Sequence, residues 1–483
     1  MTEKHLLKRW QMYESSFFIK THSQIAEIIC GEILKINEKR PPASISIDSR
    51  KMEKDCVFIA LKGENFDGHD YIEKAIENGA SCIVLEKNKK EIIKDTYNIT
   101  LIAVDDTIEA LGKLAQYNIK NLDITIIGIT GSVGKTSTRE ILKSILSKKY
   151  RVLSPEKNFN NHIGVPLTLL RAKKEHDFAI IEMGMSNKGE IEYLSKMSEP
   201  DVAIITKIGP AHIESFADIN EIACEKAGIS KGMKENSPII INHEDKILKN
   251  YLGKNTILTF GKSEDANLYF SDINISSKSS SARFTYKNQG LISKFDVTAK
   301  ITGETAIKNS AAAALTAIIS SVDTKTIKTG ISSYEGVKGR FHRIYDPEKS
   351  ITIIDDTYNS NPESLKASLT DFRTIKKSNR GFVVLGDMLE LGKDSKKYHI
   401  EAGKQAIKAK IAGIFSYGTF SNFIAEGALK ESCNDEIIFC GTHEEISSRL
   451  NEILKAGDWV MVKGSRGAQM ERVLNSLTER QVS

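Results

Sequence analysis

Residues 128–136 read Gly-Ile-Thr-Gly-Ser-Val-Gly-Lys-Thr and continue directly from the apolar run Asp-Ile-Thr-Ile-Ile-Gly-Ile at 123–129. A continuous apolar run of that kind suits a strand buried on both faces of a parallel sheet. A glycine-rich turn follows, then an amphipathic stretch over 136–147, so the segment is a strand, a loop and a helix in succession. In such a loop the backbone N–H groups converge on phosphate oxygens, and the helix N-terminus adds its partial positive charge. Lys135 would reach the β- and γ-phosphates, and the Thr136 hydroxyl would hold Mg²⁺. Gly131, Ser132, Val133, Gly134 and Ser137 complete the cradle. The strict spacing asks for glycine at 129, where Ile129 stands, with Gly128 one residue early. The flanking strand and helix and the complete Gly-Lys-Thr favour nucleotide binding over a chance glycine turn.

A parallel strand needs a crossover connection, most often a helix, so this unit implies α/β architecture around it. Further buried strands are expected at 178–183, 202–208 and 237–242. Short strands rich in Ser, Lys and Asn follow over 268–301, and a helix over 305–321 closes the region. Beyond Gly336, strands at 351–356, 381–386, 413–417, 436–440 and 458–462 alternate with helices at 363–372, 396–411, 444–454 and 468–477. That alternation reads as a second open α/β sheet. Earlier in the chain, strands at 56–61, 81–85 and 100–104 accompany a helix at 71–78. With 483 residues and roughly 150 per domain, three domains are expected. They are a smaller α/β domain over 1–121, a central P-loop ATPase-type domain over 122–335 and a Rossmann-like domain over 336–483.

Composition excludes other classes. The chain carries 68 basic and 63 acidic residues, a net +5, with the signs well mixed. A solvated surface fits this better than a nucleic-acid patch. Cys30, Cys56, Cys82, Cys224, Cys433 and Cys440 are scattered without a CxxC pair and read as reduced thiols. The first sixteen residues show no apolar h-region or small-residue cleavage site. No apolar run approaches the roughly 18 residues of a membrane span. A soluble, cytoplasmic protein is expected.

Several polar residues fall at predicted strand ends, where ligands of open α/β sheets bind. Glu182 ends the strand FAIIEMG and suits Mg²⁺, a reading favoured over that of an acid in a plain strand-ending turn. His212 follows VAIITKIG and fits either a site or a structural histidine. Lys226, read alone, is a surface lysine. Asp356 closes ITIIDD ahead of Tyr358, Asn359, Asn361 and Pro362, and Asp387 closes the next strand in GDMLELG. Either aspartate could be a turn or cap residue. In KGSRG at 463–467, Ser465 and Arg466 stand at a helix start suited to an anion. Polar strand ends on two sheets point to an active site between domains. The DSR and GENFDGHD loops near the start carry no triad or metal spacing, and turn chemistry accounts for them as well as a site does.

Taken together these motifs resemble the Mur ligase family, ATP-dependent enzymes that form amide bonds in peptidoglycan synthesis. The resemblance runs nearly end to end: DSR, ALKGENFDGHDYIEKAIENGA, GITGSVGKTS, NFNNHIGVPLTLL, EMGMSNKGEI, TKIGPAHIESF, GRFHR, DDTYNSNPESL, GDMLELG and KGSRGAQME. Within the family, the last motifs resemble members that add D-alanyl-D-alanine to UDP-N-acetylmuramoyl-tripeptide, and the DNPR motif of the sister that adds the third residue is absent. The resemblance implies an acyl-phosphate intermediate, ATP, and two Mg²⁺ ions. Thr136 and Glu182 match the ligands of the first ion and His212 that of the second. Lys226 stands where the family carries a lysine carbamate, with Gly228 in place of the usual Glu. Lys135, Glu182, His212 and Lys226 are thus the implied catalytic set. Asn309 matches an adenine contact, with Thr305 where a histidine is usual. Arg340 and Asp356 match nucleotide-binding positions, and Ser49 and Arg50 the uridine-nucleotide site. Asn158 and Asn161 belong near the acceptor substrate, and Asn359 and Asn361 to the substrate loop of the third domain. A monomer without nucleic-acid partners is implied. Another amino-acid ligase of the same fold, or a nucleotide-binding switch without ligase chemistry, are the alternatives.

Overall fold

The computed structural model describes residues 18–63, 66–92, 94, 97–156, 158–432 and 437–478. The sixteen-residue start, Glu64 and Asn65 of the GENFDGHD loop, Cys433, and the first residue of the strand expected at 436 lie outside the described residues. Among the described residues the protein is α/β, and three sheets carry it. The chain divides into two compact units: Met1–Ile126, Arg151–Ile181 and Lys196–Glu199 in one, and Ile127–Tyr150, Glu182–Ser195 and Pro200–Ser483 in the other.

In the first unit five strands lie in the order Glu32–Lys35, Thr100–Val104, Cys82–Glu86, Cys56–Ile59, Ser44–Ser46. The first pair is antiparallel and the rest are parallel. The three inner strands are apolar on both faces and buried, as parallel strands must be. Val57, Ile59, Val84 and Ile102 pack on one face with Leu111 and Leu114 of the helix Thr107–Lys120. That helix begins at Asp106, whose carboxylate accepts from the N–H groups of Ile108 and Glu109.

The strand Thr125–Thr130, which belongs to the second unit from Ile127 on, leads into the glycine loop and lies beside Val202–Ile205. Pro238–Asn242 and Thr256–Gly261 continue the sheet in parallel. The Ser- and Lys-rich stretch forms Leu268–Ile275, Ser280–Asn288 and Leu291–Ala299, paired antiparallel. The last strand alternates exposed and buried residues toward its end, as a half-covered sheet does. The helix Glu304–Ile319 packs on this region.

A six-stranded sheet follows, in the order His342–Asp346, Ile351–Asp356, Trp459–Lys463, Gly381–Gly386, Gly413–Tyr417, Ile437–Cys440. Its first pair is antiparallel, and its other neighbours are parallel. Cores form on both faces, with Ile354, Val383 and Met461 against Phe372 on one and Ile353, Val384 and Val460 against Leu450 on the other. The last strand by sequence inserts between the second and third, so Asp356 and Lys463 stand opposite each other in register. No helix among the described residues is long and apolar enough to cross a membrane.

Candidate active site

The glycine loop needs its glycines for two separate reasons. Gly131 (φ +144) and Gly134 (φ +90) hold backbone conformations that side chains rarely adopt. A Cβ at Gly131 would also meet Thr206 Oγ1 at 2.1 Å, and one at Gly134 would meet Asn309 Oδ1 at 2.6 Å. Position 129, where the strict pattern asks for glycine, is an inner strand residue, so buried Ile129 costs the loop nothing. The loop is tied to the neighbouring strand end. Ser132 Oγ donates to Gly209 O (2.8 Å) and accepts from Gly209 N–H (3.0 Å), and Thr206 Oγ1 donates to Val133 O (2.6 Å).

The helix Lys135–Leu146 follows Gly134 directly. Lys135 Nζ folds back to donate to the Gly131 carbonyl at 2.7 Å. Burial holds its ammonium below the usual lysine range, with Glu182 opposing and Arg340 reinforcing the shift. Thr136 Oγ1 donates to Glu182 Oε2 at 3.0 Å, so helix start and strand end meet as expected. Arg139, one turn on, donates to the same oxygen at 3.0 Å and also pairs with Glu140. Arg139 is a residue that sequence reading passes over. The signal is its i+3 spacing from Thr136, which sets both on one helix face.

Lys226, in the helix Ile219–Ala227, is not a surface lysine: it is 2% exposed. Its Nζ approaches the sulfur of Met185 at 3.5 Å. Burial drives its ammonium well below the usual lysine range; the charge of Lys135 adds to this and Glu225 opposes it. His212 stands in the left-handed region (φ 57°) with Nδ1 2.5 Å from Glu390 Oε2, a close approach without the alignment of a hydrogen bond. That approach of His212 holds Glu390 below the usual carboxylate range. Among the described residues, no three His, Cys, Asp or Glu side chains cluster to hold a metal ion.

At the strand ends of the six-stranded sheet, Asp356 is buried with both oxygens engaged. Oδ1 accepts from Phe341 N–H (3.0 Å), and Oδ2 accepts from Ser368 Oγ (2.6 Å) and Lys463 Nζ (2.7 Å). Lys463 also donates to Asn359 O at 3.0 Å. Asn361 caps the helix Pro362–Lys376 in a reciprocal box with Ser364, and its Nδ2 lies 3.3 Å from Ser132 O of the glycine loop. Arg340 lies with its guanidinium over the Tyr358 ring. The KGSRG segment differs from the anion-binding helix start expected of it. Ser465 Oγ is already spent on Ser360 O and Leu389 N–H, Arg466 pairs with Glu471, and a short 3-10 turn precedes the helix Glu471–Thr478.

In the first unit, Ser49 is buried and its carbonyl accepts from Asn78 Nδ2 at 2.7 Å. Exposed Arg50 forks onto both oxygens of Asp48 at 2.9 and 3.0 Å. Asn161 Oδ1 accepts from Ile163 and Gly164 N–H ahead of the helix Gly164–Leu169, and Asn158 is exposed in the preceding turn.

Residues 43–118 match the Mur ligase family catalytic domain, 129–317 the Mur ligase middle domain and 339–466 the Mur ligase glutamate ligase domain. The UDP-N-acetylmuramoyl-tripeptide--D-alanyl-D-alanine ligase of Bacillus subtilis is 33% identical over 96% of this chain and 99% of its own. Among solved structures, MurF from Acinetobacter baumannii superposes with a TM-score of 0.87 at 29% identity, covering 96% of this chain and 100% of that one. The MurF ligase of Thermotoga maritima in complex with ADP gives 0.79 at 30% identity over 90% and 97%.

Proposed function

This chain belongs to the Mur ligase family, and on that premise we propose that it uses ATP to join D-alanyl-D-alanine to UDP-N-acetylmuramoyl-tripeptide, yielding the UDP-muramoyl-pentapeptide. The observation that carries this reading is the gathering of cations around one hydroxyl–carboxylate pair. Lys135 and Arg139 flank Thr136 and Glu182, and Arg340 is near enough to depress the Lys135 ammonium. Such a site suits a polyphosphate whose terminal group is transferred.

The tripeptide's terminal carboxylate oxygen attacks the γ-phosphorus, the bond to the bridging oxygen breaks, and ADP departs from an acyl phosphate. The amine of D-alanyl-D-alanine then attacks the acyl carbon, loses a proton and expels phosphate. Lys135, turned from Gly131 O, and Arg340 offset charge on the transferring group. Asn309, against Gly134, contacts the adenine, and Asp356 acts through the backbone and Lys463 it already holds. Ser49 and Arg50 bind the uridine nucleotide, Asn158 and Asn161 lie by the acceptor peptide, and Asn359 and Asn361 meet the dipeptide.

The Thr136 and Glu182 oxygens, 3.0 Å apart, are hard donors that fit one Mg²⁺; His212 would hold a second. Magnesium bound there supplies charge neutralisation on phosphate oxygens. Lys226, whose ammonium form burial disfavours, also fits as the CO₂-accepting lysine: its nitrogen would bond the carbon and release a proton, giving an anionic ligand. We further take the domain limits as 1–121, 122–335 and 336–483, and the protein as a cytoplasmic monomer with no nucleic-acid partner.

The test is phosphate release from ATP with each acceptor and amine in turn. Turnover should require both UDP-muramoyl-tripeptide and D-alanyl-D-alanine. Equal turnover with a free amino acid as the amine would overturn the assignment, and ATP binding with no phosphate released under any pairing would mark a switch instead.

A further inference from the structure

Arg340 is held in a way that its assigned contact with ATP does not explain. Its guanidinium carbon lies 3.9 Å from the centroid of the Tyr358 ring. Its Nε is buried and has no hydrogen-bond partner among the described residues. The backbones carrying the two residues are stitched together at three points. Tyr358 N–H donates to Gly339 O (3.1 Å), Gly339 N–H to Asp355 Oδ2 (2.8 Å) and Phe341 N–H to Asp356 Oδ1 (3.0 Å). Ring and guanidinium are therefore presented to each other by a fixed frame at the carboxyl end of the strand Ile351–Asp356. The charge of Arg340 depresses both Lys135 and Lys463, which puts it among the cations of the site.

A guanidinium lying on an aromatic face keeps its N–H groups in its own plane, so stacking and phosphate binding do not compete. An arginine without such a platform has many rotamers to lose when the phosphate arrives. An unpartnered buried Nε is tolerable when an anion completes it in the working complex. We propose that Tyr358 is a positioning residue, whose ring holds the Arg340 guanidinium flat and facing the transferring phosphoryl group. The inference rests on the reading of Arg340 as an ATP-binding residue. The hydroxyl of Tyr358 has no part in it.

The experiment uses the full chain with ATP, Mg²⁺ and both substrates, and compares Tyr358→Leu, Tyr358→Phe, Arg340→Ala and the Leu/Ala double variant. Tyr358→Leu should lower kcat about tenfold, with Tm and the KM values for tripeptide and dipeptide held. Tyr358→Phe should restore most of the turnover. In the Arg340→Ala background, Tyr358→Leu should cost nothing further, because the ring then has nothing to position. Wild-type kcat in Tyr358→Leu beside an impaired Arg340→Ala overturns the inference while leaving the reading of Arg340 in place. A loss that persists in the Arg340→Ala background, or one accompanied by a lowered Tm, marks a structural role and overturns it too. Wild-type turnover in Arg340→Ala removes the reading of Arg340 and the inference with it. Should Tyr358→Leu fail to fold, Tyr358→Met is read by the same criteria, together with the ratio of ATP to ADP affinity, which should fall toward that of Arg340→Ala.

Discussion

At Lys226 two physical demands conflict, and the conflict is measurable. A lysine 2% exposed with a thioether against its Nζ is a poor choice for stability, because the desolvation of an ammonium there outweighs the opposing charge of Glu225. Lys226→Met should therefore raise Tm by about 2 °C while abolishing turnover. The pH dependence has a definite sign. The folded-state pKa lies well below the ordinary lysine value, so between the two values the unfolded chain binds the extra proton and stability rises with pH. The advantage of Lys226→Met should accordingly shrink as pH climbs from about 7 toward 10. Thermal unfolding in CO₂-free buffer checks this, since a carbamate would change the charge. A Met variant less stable than wild type at pH 7 would show that the amine is well solvated after all. For turnover, Lys226→Ala with added short carboxylates should recover part of the activity if an anion is what the position supplies.

The helix Glu304–Ile319 carries Asn309 to the glycine loop, and its start is capped from elsewhere. Gly303 offers no side chain, and instead Asp371 of the helix Pro362–Lys376 accepts from the N–H groups of Glu304 (2.7 Å) and Thr305 (3.3 Å). Asp371→Ala should cost about 1 kcal/mol, whereas Asp371→Asn keeps the cap. Burial raises the Asp371 carboxyl above its ordinary value. The folded state thus keeps a proton that the unfolded chain has released, and stability from this group is full below the unfolded value and falls as pH rises through the folded one. Compared with Asp371→Asn, the wild type should lose ground as pH rises above about 4, read as the difference in Tm between the two proteins; a flat difference would refute it. This cap also shows what a sequence conceals. The strands Ile351–Asp356, Gly381–Gly386 and Gly413–Tyr417 are legible to the residue, because a buried parallel strand is an apolar run with a charge or glycine at its edges. The glycine loop and Glu182 are legible for the same reason, as strand-end chemistry. The partners of Asp371 lie 67 and 66 residues away, and Asp356 and Lys463 are 107 residues apart. Such pairings depend on which strand inserts beside which, and no local pattern encodes that. Lys226 was hidden differently: burial of one lysine among many leaves no periodic trace.

Across the whole molecule, two compact units each hold a core of their own. A single free energy of unfolding is then poorly defined, and ligands become the means of separating the units. The proposed uridine-nucleotide residues Ser49 and Arg50 belong to the first unit, and Lys135, Asn309 and Arg340 belong to the second. A ligand at a hundred times its Kd stabilises the fold it binds by about 2.7 kcal/mol. Hydrogen exchange should therefore slow in the strands Cys56–Ile59 and Cys82–Glu86 when UDP is added. It should slow in the helices Lys135–Leu146 and Glu304–Ile319 when a non-hydrolysable ATP analogue and Mg²⁺ are added. Arg340→Ala should weaken the second effect and leave the first untouched, because it removes a proposed phosphate contact and no proposed uridine contact. Protection of the first unit's strands by the ATP analogue alone, with the Lys135 helix unchanged, would reverse the assignment of ligands to units. Equal protection of both units by either ligand would show that they unfold as one cooperative body, so that the two cores, though separately packed, are not separately stable.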